Sequence, residues 1–221
     1  AMLRFFQVNR DIFLRTLCLV AVTLFFTSAG ASQGEIILAV NTLLMQLFTL
    51  FSYVMDGFAY AGEALSGRYI GARNREAFTD TVRHLFGWGA VMAVLFTLVY
   101  ALGGNAFLGL LTDDKEVIAV ADTYFYWALA VPAVGIAAFI WDGIFIGATA
   151  TRGMLLSMAA AAVSFFILYY GLHPVLANHA LWLAFLTYLL MRGVVQTGLS
   201  RGVIRQAFSS KKGPAWPRGK Q

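Results

Sequence analysis

The chain has 221 residues, of which 60% are hydrophobic and only 12% are charged, and its formal net charge is +5. A soluble domain typically carries about a quarter charged residues, so this composition excludes an ordinary soluble protein and indicates a polytopic membrane protein. The one cysteine, Cys18, lies in an apolar run, which excludes a disulfide framework and a Cys/His metal site. The first apolar run is too long for a cleavable signal peptide and has no clear cleavage site.

Six apolar segments have about the ~20 residues that are needed to cross ~30 Å of hydrocarbon. The predicted fold class is therefore all-α, a bundle of six transmembrane helices. Pro132 lies in the long fourth segment and predicts a tilt or a kink there. Trp88, Trp127 and Trp182 lie near predicted span ends, where they fit either an aromatic belt or packed aromatics. The predicted spans are residues 12–31, 36–61, 85–103, 117–147, 154–172 and 181–199.

Basic residues concentrate at the start of the first span, in the second and fourth loops and in the tail. The first and fifth loops have none, and the third has one lysine against three acids. By the positive-inside rule both termini and the even loops are predicted to be cytoplasmic. Residues 1–208 are predicted to form the membrane lobe, and residues 209–221 a disordered basic tail. Nucleic-acid binding is not predicted, because no folded basic-aromatic module accompanies the tail. The basic residues are Arg4, Arg10, Arg15, Arg68, Arg73, Arg75, Arg83, Arg152, Arg201, Arg205, Lys211, Lys212, Arg218 and Lys220.

A polar stripe follows one face of the second span, at steps of four, four, three and four residues. It consists of Asn41, Met45, Thr49, Ser52 and Asp56. Unsatisfied polar groups are costly in hydrocarbon, so the stripe is predicted to face other helices or water, and we interpret it as the lining of an aqueous cavity. The flanking residues Gln46, Tyr53 and Tyr60 are seven apart.

Five ionisable residues lie in or near the spans: Asp56, Glu63, Asp122, Asp142 and Arg192. An ionisable residue inside a membrane is by default a functional hypothesis. For Asp142 the alternatives are proton coupling, a structural hydrogen bond to a neighbouring helix, or an ion pair with Arg192. For Asp56 the hypothesis is a cavity or proton-coupling role, whereas Glu63 is expected to pair with arginines at the cytoplasmic surface and Asp122 to reach outer water.

No catalytic motif is present. His84, His173 and His179 lie near span ends without an HExxH pattern, and there is no GxSxG motif or phosphate-binding loop. An enzyme, an ATP-driven pump, a metal site and a bound cofactor are therefore not predicted. The function classes that remain are a carrier, a channel and a scaffold.

Three stretches carry a resemblance to a known family. They are FQVNRDIFLRTLCLV (6–20), DGFAYAGEALSGRYIGARNRE (56–76) and WDGIFIGATATRGM (141–154). They resemble the DinF branch of the multidrug and toxic compound extrusion (MATE) family, and the resemblance extends over about residues 6–208. It corresponds to the second half of such a protein, helices seven to twelve.

The resemblance implies a lobe of a twelve-helix transporter, whose two six-helix lobes surround a central cavity. It implies export of cationic or amphipathic organic compounds, driven by inward flow of protons or sodium ions, with protons favoured. The implied location is a bacterial inner membrane, and the implied partners are an N-terminal lobe, membrane lipid and small organic substrates. The principal coupling carboxylate of such branches lies in the other lobe, so its role is not transferred to any residue here, and Asp142 does not align with the acidic position of other branches.

The predicted cavity residues are the stripe, two flanking residues and the carboxylate of the fourth span: Asn41, Met45, Gln46, Thr49, Ser52, Tyr53, Asp56 and Asp142. Two alternatives to an antiporter lobe stay open at this stage. One is a stand-alone six-helix protein that works as a homodimeric channel or an assembly scaffold, and the other is a lipid-flipping relative.

Overall fold

The chain forms six long α-helices in a computed structural model, which describes residues 2–209 and all of their side chains except those of residues 3–5 and 105. Each helix is long and apolar enough to cross a membrane. The predicted all-α, six-span fold is therefore confirmed, and the chain is a multi-pass membrane protein. The helices are α1 Met2–Ala31, α2 Glu35–Gly71, α3 Arg75–Leu111, α4 Lys115–Gly147, α5 Thr151–Leu176 and α6 Asn178–Ser209.

The helices extend beyond the predicted spans. α2 continues from residue 61 to Gly71, and α3 begins at Arg75 rather than at residue 85. Hydropathy detects the part of a helix that lies in hydrocarbon, whereas its hydrogen bonds persist into the polar surface. The true starts are set by capping side chains. The side chain of Asn74 accepts from the backbone N–H of Ala77 at 3.0 Å, and that of Asp114 accepts from the N–H of Glu116 at 2.9 Å.

Short loops make successive helices antiparallel, so the bundle has two chemically different ends. The loops 32–34, 112–114 and 177 form one end, which we call the acidic end because Asp113, Asp114 and Glu116 lie there. The opposite end is formed by the loops 72–74 and 148–150. We call it the basic end because Arg73, Arg75 and Arg152 lie there. This arrangement agrees with the charge pattern, but which end faces the cytoplasm stays a prediction. The predicted tail lies outside the described residues, except for Ser209, which ends α6.

α4 is the central helix of the bundle. It packs against α2, α3 and α6, while α5 packs against α6 and α1. A helix that is hydrophobic on all sides is normally enclosed, and α4 is enclosed around Ala138, Ile140 and Phe145. Pro132 is buried within α4, which continues as a helix to Gly147. Helical dihedrals are interrupted in α3 at Gly104, with φ 32° and ψ −122°.

α2 and α4 touch through their backbones at two glycines of α4. A Cβ atom on Gly143 would lie 2.0 Å from the carbonyl oxygen of Ala59, and one on Gly147 would lie 2.5 Å from that of Glu63. The two glycines are four residues apart, which is the spacing that lets membrane helices approach closely. This contact fixes the depth of α4, and with it Asp142, relative to α2.

We expect the Gly143→Ala variant to lose stability, because its added methyl group overlaps the α2 backbone. Overpacking of this kind costs about 1–3 kcal/mol. Thermal unfolding in detergent micelles measures the loss. The matched control is Gly57→Ala on α2, where no atom lies within 4 Å of the added Cβ. Equal melting temperatures for the two variants would contradict the close approach of α2 and α4.

Candidate functional site

A buried carboxylate joins three helices inside the bundle. The Nη2 atom of Arg192 on α6 donates to Oδ2 of Asp142 on α4 at 2.6 Å. The Nε2 atom of Gln196 on α6 donates to Oδ1 at 2.6 Å. Arg15 on α1 donates to the same Oδ2 atom as Arg192. We call these four residues, Arg15, Asp142, Arg192 and Gln196, the Asp142 cluster.

Helical spacing explains the α6 half of the Asp142 cluster. Arg192 and Gln196 are four residues apart, so both side chains lie on one face of α6, toward α4. The guanidinium carbon of Arg192 also lies 5.6 Å from the ring centroid of Tyr188 and 6.0 Å from that of Phe139. Aromatic faces attract a guanidinium group at such distances. Arg192 is therefore held by one carboxylate and two rings in place of water.

The Asp142 cluster contains two cationic side chains and one anionic side chain. Buried ions have to be neutralised, because taking an unpaired charge out of water is costly. Asp56 on α2 is half-buried and lies close enough to Arg15, Asp142 and Arg192 to interact with them electrostatically. Counting Asp56 with the cluster brings the formal charge to zero. Asp56, which lies on the helix that is predicted to line the cavity, therefore interacts with the buried ion pairs.

The structure contains the predicted ion pair of Asp142 with Arg192 and a hydrogen bond from Gln196 on the same neighbouring helix, whereas a proton-coupling role for Asp142 stays a prediction. Sequence reasoning missed Arg15, which it treated as a surface charge at the start of the first span. It also missed Asp11, which is 6% exposed and accepts from Thr151 Oγ1 at 3.4 Å. The signal was present, since Arg15 lies inside the predicted span 12–31 and one helical turn after Asp11.

One residue of the predicted stripe is enclosed near the acidic end. Asn41 is 2% exposed and exchanges two hydrogen bonds with Asn178, at 2.8 and 2.9 Å. Its Oδ1 atom also accepts from Trp182 Nε1 at 2.9 Å. The side chain of Asn41 therefore binds α6 rather than lining an open surface. Trp182 is a packed aromatic rather than part of a belt.

The hydroxyl groups of the stripe are satisfied within α2 itself. Thr49 donates to the carbonyl of Met45 at 2.9 Å, and Ser52 donates to that of Thr49 at 2.8 Å. Such local bonds let hydroxyl side chains lie in apolar surroundings without water. Met45, Thr49, Ser52 and Asp56 are all half-buried, so the centre of the stripe lies at the edge of the exposed surface.

The exposed line along α2 is formed by the residues that flank the stripe. Tyr53 and Tyr60 are 70% and 71% exposed, and Thr42, Gln46 and Leu50 are exposed on the same side. We call these five residues, Thr42, Gln46, Leu50, Tyr53 and Tyr60, the open face of α2. Two of the predicted cavity residues, Gln46 and Tyr53, lie on it.

Comparisons with known proteins show the family of this chain. The MatE family model matches residues 12–175, which is well over half of the chain. The chain belongs to the MATE family. The DNA damage-inducible protein F of Escherichia coli K12 is 42% identical over 191 residues, which are 86% of this chain and 41% of that protein. Protein DETOXIFICATION 45, chloroplastic, of Arabidopsis thaliana is 26% identical over 60% of the chain and 24% of that protein.

Solved MATE structures share the fold. A MATE protein in the bent conformation superposes with a TM-score of 0.74 at 17% identity, covering 92% of this chain and 44% of the other. The Vibrio cholerae MATE transporter VcmN in the bent form gives a TM-score of 0.71 at 20% identity, covering 95% and 48%. The chain thus spans less than half the length of these MATE relatives. The family is one of transporters rather than enzymes.

The two sides of α2 give a direct test of the site in this MATE lobe. We expect Asn41→Leu to lower stability, because it leaves the amide of Asn178 and the N–H of Trp182 without their partner, at a cost of about 1–3 kcal/mol. The matched control is Gln46→Leu, on the open face, which should unfold like the unmodified chain. Thermal unfolding in micelles compares them. A loss of thermal stability in Gln46→Leu but not in Asn41→Leu would contradict the assignment of the two faces.

Proposed function

We propose that this chain forms the C-terminal lobe of a cation-coupled antiporter in a bacterial inner membrane. With a second six-helix lobe it exports amphipathic or cationic organic compounds by alternating access. The observation that carries the proposal is the open face of α2, where two highly exposed tyrosines and a glutamine lie along a membrane helix. Side chains of this kind suit a cavity for organic compounds, because aromatic rings pack against apolar groups and attract cations.

The partial coverage of the relatives supports a second lobe as the partner, and α1 has exposed apolar residues that are open to contact with that lobe or with lipid. Leu17, Val20 and Leu24 are 49%, 45% and 66% exposed, and steps of three and four residues place them on one face. α1 packs against α2. Together with the share of the relatives that the chain covers, 41% and 48%, this supports a cavity formed between two lobes, with the open face of α2 as part of its wall.

For coupling, we propose that Asp56 exchanges the proton and that Asp142 serves as a fixed counter-ion. Three side chains of α1 and α6 donate hydrogen bonds to the carboxylate of Asp142, so this carboxylate faces the interior of the bundle. Asp56 is half-buried at the edge of the open face. The two nearby guanidinium groups repel a sodium ion but tolerate a neutral, protonated carboxyl group, which favours protons over sodium.

Competition between the proton and the organic cation at Asp56 would couple proton entry to substrate export. An ionised Asp56 places a negative charge beside the open face, which attracts an organic cation. Protonation removes that charge, and the two arginines of the Asp142 cluster then leave a net positive charge that repels the cation. Because the cluster ties α1 to α4 and α6, the lobe can move as one body while the cavity opens to either side.

The experiment is efflux of a fluorescent organic cation such as ethidium from proteoliposomes that contain the chain assembled with its second lobe. We expect Asp56→Asn to abolish transport driven by a pH gradient while leaving substrate binding measurable. A sodium gradient without a pH gradient should drive no transport in the unmodified protein.

The matched control is Asp122→Asn on α4, which is exposed and lies toward the acidic end of the bundle. It should transport like the unmodified protein. Full pH-driven efflux by Asp56→Asn would remove the proposed coupling role. Efflux driven by sodium alone would instead replace the proton as the coupling ion and leave the assignment to an antiporter intact.

A further inference from the structure

A groove lies between α2 and α3 near the basic end of the bundle. Its volume is about 460 Å³, within the range of small-molecule sites. Phe58, Leu65 and Leu85 are among its apolar lining residues, and Asp80 and Tyr69 also line it. The open face of α2 and the Asp142 cluster do not contribute to the lining, so the groove is separate from the proposed transport site.

The groove continues into a surface that suits lipid chains. Trp88, which also lines the groove, begins a row of exposed apolar residues on α3 at steps of three, four, three and four: Trp88, Val91, Leu95, Leu98 and Leu102. Such steps keep the row on one helix face. A membrane protein exposes an apolar row of this length to hydrocarbon, so the molecule that reaches the groove from this side is a bilayer lipid.

The polar groups at the groove carry charges of both signs. Asp80 provides a carboxylate. The Nδ1 atom of His84 lies 2.7 Å from the backbone oxygen of Asp80, and a carbonyl can only accept. In the neutral imidazole, Nδ1 therefore donates and Nε2 is left to accept a hydrogen bond from a ligand. The guanidinium carbon of Arg68 lies 5.9 Å from the ring centroid of Tyr69, which places a positive charge beside one of the residues that line the groove.

We propose that this groove binds a phospholipid with a primary-amine headgroup. The ammonium group donates to Asp80 and to Nε2 of His84, the phosphate pairs with Arg68, and one acyl chain follows the apolar row of α3. A quaternary ammonium headgroup has no N–H to donate, so the site distinguishes phosphatidylethanolamine from phosphatidylcholine. The proposal does not depend on the transported substrate or the coupling ion.

Native mass spectrometry of the protein in detergent, mixed with equal amounts of phosphatidylethanolamine and phosphatidylcholine of the same acyl chains, tests this. We expect phosphatidylethanolamine to be retained about tenfold more, which corresponds to the hydrogen bonds made to a charged group. Asp80→Asn should lower this preference, because it removes the charged acceptor and leaves only neutral acceptors for the ammonium group. Trp88→Ala should lower retention of both lipids equally, because it removes only apolar contact.

The matched control is Asp113→Asn at the acidic end, which should keep the preference for phosphatidylethanolamine. Asp80 is exposed, so its substitution should leave folding intact. The ratio of the two lipids is also measured within one sample, which makes it independent of protein stability. Equal retention of both lipids by the unmodified protein, or an unchanged preference in Asp80→Asn, would overturn the proposal.

Discussion

Neutralisation of charge inside an apolar bundle is the constraint on which this lobe depends. Arg192 and Asp142 are each less than one tenth exposed, and neither could remain there alone. Because Arg15 and Arg192 bind the same carboxylate oxygen, α1 and α6 are both tied to α4. The glycine contact of α4 with α2 then fixes the height of that carboxylate. Helix packing and ion pairing therefore specify the same arrangement.

This arrangement separates the polar groups of the lobe into two classes. Those directed inward are paired, as Asn41 is with Asn178 and Trp182, and they hold helices in register. Those on the open face of α2, such as Gln46 and Tyr53, are exposed within the described part of the chain. Asp56 lies at the boundary between the classes, which is why we propose it, rather than the more deeply buried Asp142, as the group that exchanges a proton.

The number of spans and the fold class were predictable from the sequence, because hydropathy and flanking charge are local properties. The face of α2 was predicted only approximately. A 3.6-residue period groups Asn41 with Asp56, but it does not say whether that group faces the protein or the cavity, and in the structure the exposed line passes through the neighbouring Gln46. The pairing of Arg15 with Asp142 joins residues far apart in the chain and has no local signature, so only the fold reveals it.

A double-mutant cycle on Arg15→Met and Asp142→Asn, followed by unfolding in detergent micelles, tests the central claim most directly. We predict that the two effects on the free energy of unfolding are non-additive by about 1–3 kcal/mol, as for residues in one ion-pair network. The control cycle of Arg15→Met with Asp113→Asn should be additive within about 0.5 kcal/mol. Additive effects of Arg15 and Asp142 would show that α1 is not held by the buried carboxylate and would contradict this account.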